Sequence, residues 1–351
     1  MATPTIRAIR HGLPEVDELC VVGRFAAVEV LEGAPWIDSS IVFKPRSTDS
    51  RIVSRRGLIS EIKRRGFDLF VMLPNSLSAG LIGFLSRSKR RVGYANDGRS
   101  WLLTDAIPQR DKKNDHRKKP TIDYYLNIAK YLGCPVDDRR MQLFVSDSDR
   151  NLASSLYSKF HFSLEHQTVV FNTSSATAAS RLWPVGHASR AAKRLADRYG
   201  IQIIVHCGPS DRERADAIAF GAAHPLVKSM GQIEDIPLGL SKALFAHANV
   251  VLSTDSGPRH MAVALNRPVV SLFGPTASEN TQTYNQPELI LKVPMECQPC
   301  GKAKCPLVHN NCMHGLAYPV VVEAVLKLLG ISSENGGLEP LNRFALPRSA
   351  A

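Results

Sequence analysis

The chain of 351 residues reads as an α/β protein with parallel sheets, arranged as two Rossmann-like domains in succession. Three observations support this. Short apolar runs alternate with helix-length stretches, a pattern of βαβ units rather than of sandwiches or bundles. The alternation stops at Gly133, Cys134 and Pro135 and restarts beyond the polar stretch 147–150. The segment 249–276, NVVLSTDSGPRHMAVALNRPVVSLFGPT, holds a strand, a tight turn, a helix-length stretch and a second strand.

In the first half the expected strands are 18–22, 41–43, 69–73 and 91–93. Helices lie between them, including 57–65 and 77–85, and a longer one over 121–132 closes the half. The second half restarts with strands 168–171, 201–206, 226–228, 250–253 and 269–273. Domain limits follow at 1–150 and 151–330. The tail 331–351 is rich in Gly, Pro and Ser and is expected to be poorly ordered. No internal sequence repeat accompanies the doubled architecture.

A hydrophobic content of 44% with 22% charged residues belongs to a globular chain, long enough for two domains that each bury a core. No apolar run approaches the roughly 20 residues that span a bilayer. The opening MATPTIRAIRHGL lacks the apolar core of a secretory signal, so a cytoplasmic location is expected, with the seven cysteines reduced. Net charge is +12, and basic residues gather at Arg87, Lys89, Arg90 and Arg91 and again at Arg110, Lys112, Lys113, Arg117, Lys118 and Lys119. These are either solvated loops or a surface for an anionic partner. Nucleic acid is the weaker partner, because no helix-turn-helix, zinc-finger or aromatic stacking pattern accompanies the charge.

The residues with chemistry fall mostly in the second half. After the run 250–252 come Ser253, Thr254, Asp255 and Ser256, and Gly257 permits a tight turn into a helix. The free N–H groups and positive end of that helix suit a diphosphate. The following strand ends in Gly274, Pro275 and Thr276, so two strands deliver polar loops to the carboxyl edge, where open α/β sheets bind ligands. An ordinary βαβ unit in which Asp255 only caps a helix remains the alternative. Upstream, Ser174, Ser175 and Thr177 supply small side chains and hydroxyls before Arg181, Trp183 and Pro184. A phosphate loop needs small residues, hydroxyl donors and one fixed cation. A polar helix entry with Trp183 in the core is the structural alternative.

The segment 249–276 closely resembles the donor-binding motif of glycosyltransferase family 9, the lipopolysaccharide heptosyltransferases, and the order of motifs follows that family from about Ala2 to Leu329, nearest to the heptosyltransferase II type. The resemblance implies a GT-B fold, two Rossmann-like domains facing each other across a cleft, with the acceptor on the first and the nucleotide sugar on the second. It implies inverting, metal-independent transfer of heptose from ADP-heptose to the lipid A core oligosaccharide at the inner face of the cytoplasmic membrane, by a monomer. Asp255, Ser256, Gly257 and His260 would contact the donor sugar and diphosphate, and Asp211 the adenosine ribose. Loop 231–237, with Ile236, would face adenine. The acceptor's phosphates and carboxylates would be drawn to Arg87, Lys89, Arg90, Arg91, Lys112, Lys113 and Arg117. The family usually has Asn where this chain has Thr254, Lys where it has Arg181, and a glycine in the loop before it.

Cys297, Cys300, Cys305 and Cys312 form C-x2-C-x4-C-x6-C with His309 nearby. Four soft ligands at short spacing suggest a structural zinc or an iron–sulfur centre; reduced thiols in the core or a redox role are the alternatives. Cys20, Cys134 and Cys207 read as isolated buried thiols. The chain opens inside the first helix of the family pattern, without the preceding strand and Gly-Asp turn. The family's general-base Asp is therefore expected upstream of Met1, unless the protein is an inactive relative. Two rivals stay open: a GT-B enzyme using another nucleotide sugar, such as a UDP-sugar transferase or epimerase, and a noncatalytic module that keeps the donor fold.

Overall fold

In the computed structural model the chain is described over residues 1–44, 54–108, 120–173, 178–284 and 286–332. It divides into two compact units: Met1–Arg139 with Glu279–Gln282, and Arg140–Ser278 with the chain from Thr283 onward. Among the described residues every strand pairing is parallel. Among the described residues no helix is long and apolar enough to cross a membrane.

The first unit begins with helix α1 (Thr3–Gly12) and carries two separate sheets. Strands β1 (Cys20–Gly23) and β2 (Ser39–Val42), with the short helix α2 (Phe25–Val30) between them, form one. Strands β3 (Leu69–Met72), β4 (Arg90–Tyr94) and β5 (Asp105–Ile107) form the other. Helices α3 (Arg55–Arg65) and α4 (Leu77–Leu85) start at Ser54 and Ser76, whose hydroxyls accept from the N–H groups of Gly57 and Ala79. Helix α3 ends at Gly66, held at φ 69°, a left-handed turn that glycine adopts without strain. One core cluster gathers Ile41, Leu58, Ile62 and Ile82. A second gathers Val92, Tyr94 and Ile107 with Ile128 of α5 (Thr121–Tyr131) and Ile9 of α1.

The second unit has one six-stranded sheet in the order β11-β10-β9-β6-β7-β8. Its strands are β6 (Thr168–Asn172), β7 (Gln202–Val205), β8 (Val227–Ser229), β9 (Val250–Thr254), β10 (Val269–Phe273) and β11 (Glu288–Lys292). Strands β6, β7, β9 and β10 are buried along their whole length, which is why their sequences are mostly apolar on both faces rather than alternating. The connecting helices are α7 (Val185–Tyr199), α8 (Arg212–Ala222), α9 (Leu238–His247) and α10 (Gly257–Ala264), with α6 (Asp147–Phe160) before them and α11 (Asn311–His314) and α12 (Tyr318–Leu329) after. A reciprocal capping box of Ser146 and Asp149 starts α6.

From β6 the chain moves outward through β7 to β8, then returns to the other side of β6 for β9, β10 and β11. The order therefore reverses between β6 and β9, and their carboxyl ends form the crevice where doubly wound sheets take ligands. Of the expected strands, β4 extends one residue at each end, and β5 and β11 are additions: β5 has only three residues, Asp105 to Ile107, and in β11 the apolar run Leu289 to Leu291 is flanked by Glu288 and Lys292.

Candidate functional site

The switch point in the second unit is occupied by the residues that end β6 and β9. Asn172, the last residue of β6, donates from Nδ2 to Ser253 Oγ at 3.3 Å and to Ser256 Oγ at 3.1 Å. Its Oδ1 lies 3.0 Å from His206 Nδ1, and His206 Nε2 lies 2.9 Å from Ser241 Oγ on α9. Burial without a charged partner pushes the His206 pKa down to about 4, so the ring is neutral at pH 7. A neutral imidazole has one N–H. Since Asn172 Oδ1 can only accept, Nδ1 donates to it and Nε2 accepts from the Ser241 hydroxyl. Ser256 in turn donates to Thr254 O at 3.2 Å. The chain of protons is thus oriented from Ser241 through His206 and Asn172 to Ser256. In this arrangement the Ser256 hydroxyl proton is already committed, and toward a ligand the oxygen acts as an acceptor.

Asp255 is buried between two guanidiniums. Arg259 Nη1 is 3.6 Å from Asp255 Oδ1, and Arg181 Nη1 is 3.8 Å from Oδ2 and donates to the Asp255 carbonyl at 2.8 Å. Arg259 is fully buried and forks onto Glu288 of β11, with Nε to Oε1 at 2.5 Å and Nη2 to Oε2 at 2.9 Å, over the ring of Phe273. Bidentate geometry of this kind fixes orientation as well as charge. Arg181 is different, for its side chain keeps 30% exposure beside the strand ends, so a cation remains available to a ligand. Helix α10 begins immediately after, with Ser256 as N-cap making no side-chain cap bond and with open space at Gly257.

Two expected donor residues carry buried polar atoms without a hydrogen-bond partner: His260 Nδ1 and Thr276 Oγ1. Burial and the neighbouring Arg259 hold His260 well below the ordinary imidazole range, hence neutral. Gly274 follows β10 against the cysteine loop: a Cβ there would stand 2.5 Å from Met313 Sδ, and its carbonyl accepts from Gln298 Nε2 at 2.7 Å. Asp211 stands before α8, in the loop after β7, and makes no side-chain cap bond. Ile236 is half-buried in the loop after β8. That loop is clamped by Arg212, which donates to the carbonyls of Gly231 at 2.8 Å and Glu234 at 2.9 Å and to that of Ile233. Trp183 is fully buried and donates to Leu316 O at 2.8 Å, so it is a core residue. Ser174, Ser175 and Thr177 lie outside the described residues.

On the acceptor side the expected cations fall into two groups. Lys112, Lys113 and Arg117 lie outside the described residues. Arg87, Lys89, Arg90 and Arg91 sit at the amino end of β4, the edge opposite to the one at which parallel sheets bind ligands. Three of them have local partners. Lys89 pairs with Asp68 at 2.7 Å, Arg90 with Asp105 at 2.9 Å, and Arg91 donates to the carbonyls of Ser88 at 2.7 Å and Leu102 at 2.9 Å. Charge density alone could not separate the two edges. The carboxyl edge of this sheet instead carries Asn75, Asn96 and Tyr124: both amides donate to the Tyr124 phenol, at 2.7 and 3.4 Å, and its ring stacks on Tyr94 at 4.2 Å. The buried Arg99 knits this edge, donating to the carbonyls of Tyr94, Pro74 and Ser76 at 3.0, 2.6 and 3.1 Å. Two asparagines placed just after consecutive strands were the available signal.

Cys297, Cys300, Cys305 and Cys312 line one small cavity together with His309. Burial first, and then the three other cysteines, push the Cys312 thiol up. Among the described residues, however, no group of three or more His, Cys, Asp or Glu side chains stands ready to hold a metal ion. The donor set suits a soft ion, but its geometry is not preformed. The loop is tied to the donor side, since Ser180 donates from Oγ to Lys302 O at 2.5 Å and from N to Ala303 O at 3.1 Å. Cys134 and Cys207 are buried, whereas Cys20 is only half-buried and accepts from Arg65 Nη1 at 3.6 Å.

Comparison with known proteins agrees with this organisation. Residues 55–310 match the model of glycosyltransferase family 9 (heptosyltransferase). Lipopolysaccharide heptosyltransferase 2 of Escherichia coli K12 is 24% identical over 278 residues, covering 75% of this chain and 76% of that protein. Among solved structures, a family 9 glycosyltransferase from Veillonella parvula superposes with a TM-score of 0.77 at 20% identity, covering 93% of this chain and 92% of the other. The E. coli ADP-heptose LPS heptosyltransferase II superposes at 0.74 and 20% identity, covering 93% and 94%. These likenesses carry the GT-B fold class. With the family match spanning well over half of its length, the chain belongs to glycosyltransferase family 9, the heptosyltransferases, and is a glycosyltransferase.

Proposed function

We propose that this glycosyltransferase moves heptose from ADP-heptose to a sugar of the lipopolysaccharide inner core, with inversion at the anomeric carbon and without a catalytic metal. The observation that carries this most is the constellation at the β6–β9 switch point: an accessible guanidinium, a helix N-terminus, a buried carboxylate and an oriented hydroxyl within one crevice. Relatives named as lipopolysaccharide and lipooligosaccharide heptosyltransferases, and one named as a lipopolysaccharide core heptosyltransferase, support the substrate class.

In the proposed reaction a carboxylate takes the proton of an acceptor hydroxyl, and the oxygen attacks the anomeric carbon from the face opposite the diphosphate. The bond from that carbon to the diphosphate oxygen breaks, and ADP leaves with the electron pair. Arg181, the hydroxyls of Ser174, Ser175 and Thr177, and the N–H groups at Gly257 would stabilise the leaving charge. Asp255 would accept from sugar hydroxyls with Ser256 as a second acceptor, and His260, Gly274 and Thr276 would complete the donor pocket. Asp211 would hold the ribose, and Ile236 would lie against the base. The acceptor sugar would meet Asn75, Asn96 and Tyr124 rather than the cations of β4. We assign the protein to the inner face of the cytoplasmic membrane as a monomer, and a structural zinc to Cys297, Cys300, Cys305 and Cys312.

Calorimetric titration of the full chain with ADP and with UDP tests the donor class. Tighter ADP binding is expected; preference for UDP would move the protein to another nucleotide sugar, and binding of neither would make it a noncatalytic relative. Heptose transfer should survive a chelator that removes divalent ions, and zinc analysis of the purified protein checks the cysteine assignment separately.

A further inference from the structure

A second cationic feature lies on the second unit, on a helix the donor crevice does not use. Helix α7 turns Ala188, Ala191, Ala192, Leu195 and Ala196 inward and leaves Arg190, Lys193 and Arg198 exposed, with Arg194 half-buried beside them. These cations, Asp197 and Tyr318 of α12 line a groove of about 450 Å³. The Arg190 guanidinium rests over the Tyr318 ring at 5.2 Å and its Nε donates to Gly186 O at 3.0 Å, which holds the side chain along the groove. Asp197, the carboxylate in the lining, is turned to His224 at 3.2 Å. Arg190, Lys193 and Arg194 thus place positive charge along one wall, a field that draws a multiply charged anion.

We infer that the α7–α12 groove docks the protein on an anionic bilayer, with lipid phosphates as the ligands of Arg190, Lys193 and Arg194. Guanidiniums fork onto phosphate oxygens, and juxtaposed Lys and Arg side chains are what a negatively charged leaflet attracts. The lipid source follows from the proposed lipid-borne acceptor, on which this inference rests. Attachment through α7 would concentrate the enzyme where that acceptor lies without consuming Arg181 or Asp255.

The test is sedimentation of the full chain with phosphatidylcholine vesicles and with vesicles containing about 30% phosphatidylglycerol, at roughly 50 mM and roughly 300 mM salt. Wild type is expected to bind the anionic vesicles only, and less at the higher salt. The double variant Lys193→Glu with Arg194→Glu should lose binding by roughly tenfold or more while keeping wild-type ADP affinity, since each basic residue near the surface contributes a several-fold factor. Lys63→Glu with Lys159→Glu, a reversal of equal size on α3 and α6, should change it little. Equal losses in the two double variants would reduce the effect to net charge and overturn the groove, as would unchanged binding in the α7 variant. Saturable binding of inorganic phosphate abolished by the α7 reversal, without vesicle binding, would overturn the lipid assignment. Failure of ADP binding in wild type would instead count against the donor reading.

Discussion

Arg181 and Arg259 show how one residue type acquires two tasks from its surroundings. Arg259 is saturated by Glu288, Ser271 and Asp255 in a fully buried setting, so its charge serves to fix the strand ends. Arg181 touches Asp255 through a backbone carbonyl and a longer contact, and its partial exposure leaves donors for an incoming diphosphate. Arg181→Ala should therefore lower turnover by roughly 10², the scale of losing one charge-stabilising donor, with folding intact. Arg181→Lys should restore part of it; wild-type turnover in the alanine variant would remove Arg181 from the site. Arg181, Asp255 and Ser256 were legible in the sequence because they lie in short motifs with a recognisable physical purpose. His206, Ser241, Arg259 and Glu288 were not assigned to the site: their partners lie tens of residues away, and a polar residue at a strand end has no periodicity to betray its neighbour.

Among the elements, α6 and α9 meet at Gly239, where a close approach leaves no room for a side chain. A Cβ on Gly239 would stand 1.9 Å from Asp149 Oδ1. Asp149 belongs to the α6 capping box and pairs with the buried Lys242 at 3.4 Å, so it cannot swing away without losing a cap and leaving an ammonium less well compensated. Gly239→Ala should accordingly cost about 1–3 kcal/mol, read as a lower urea midpoint at unchanged slope. Because α9 also carries Ser241, the end of the His206 relay, ADP affinity is expected to fall with it. An unchanged midpoint would mean that α9 shifts freely on α6. The strand-turn-helix-strand of residues 249–276 could be read in advance because its fully buried strands are mostly apolar and bracket a turn and a helix-length stretch, whereas β5 escaped because it is three residues long and β11 because its three apolar residues lie between Glu288 and Lys292 with no helix-length stretch before them.

At the scale of the molecule, the excess of positive charge says less than its distribution. The cations of β4 are spent on local partners, while α7 keeps Lys193 and Arg194 facing a groove, a contrast that net charge conceals. Acid should expose a further whole-molecule property. His187, His206, His247 and His260 all have lowered pKa values, burial being the first cause in each, and all four belong to the second unit. A base whose folded pKa is depressed binds fewer protons in the native than in the unfolded chain between the two values, so stability rises with pH through that interval. For His206 the interval runs from about 4 to the ordinary 6.5. Its contribution is complete above pH 6.5 and is lost progressively as pH falls toward 4, to the extent of roughly 3 kcal/mol. Urea unfolding followed through the fully buried Trp183 should therefore show the second unit weakening from pH 7 to pH 4.5, and His206→Gln, which keeps a donor and an acceptor but cannot be charged, should flatten that decline. An equally steep decline in the variant would place the acid sensitivity in other groups and remove the neutral, oriented imidazole from the account of how Ser256 is held.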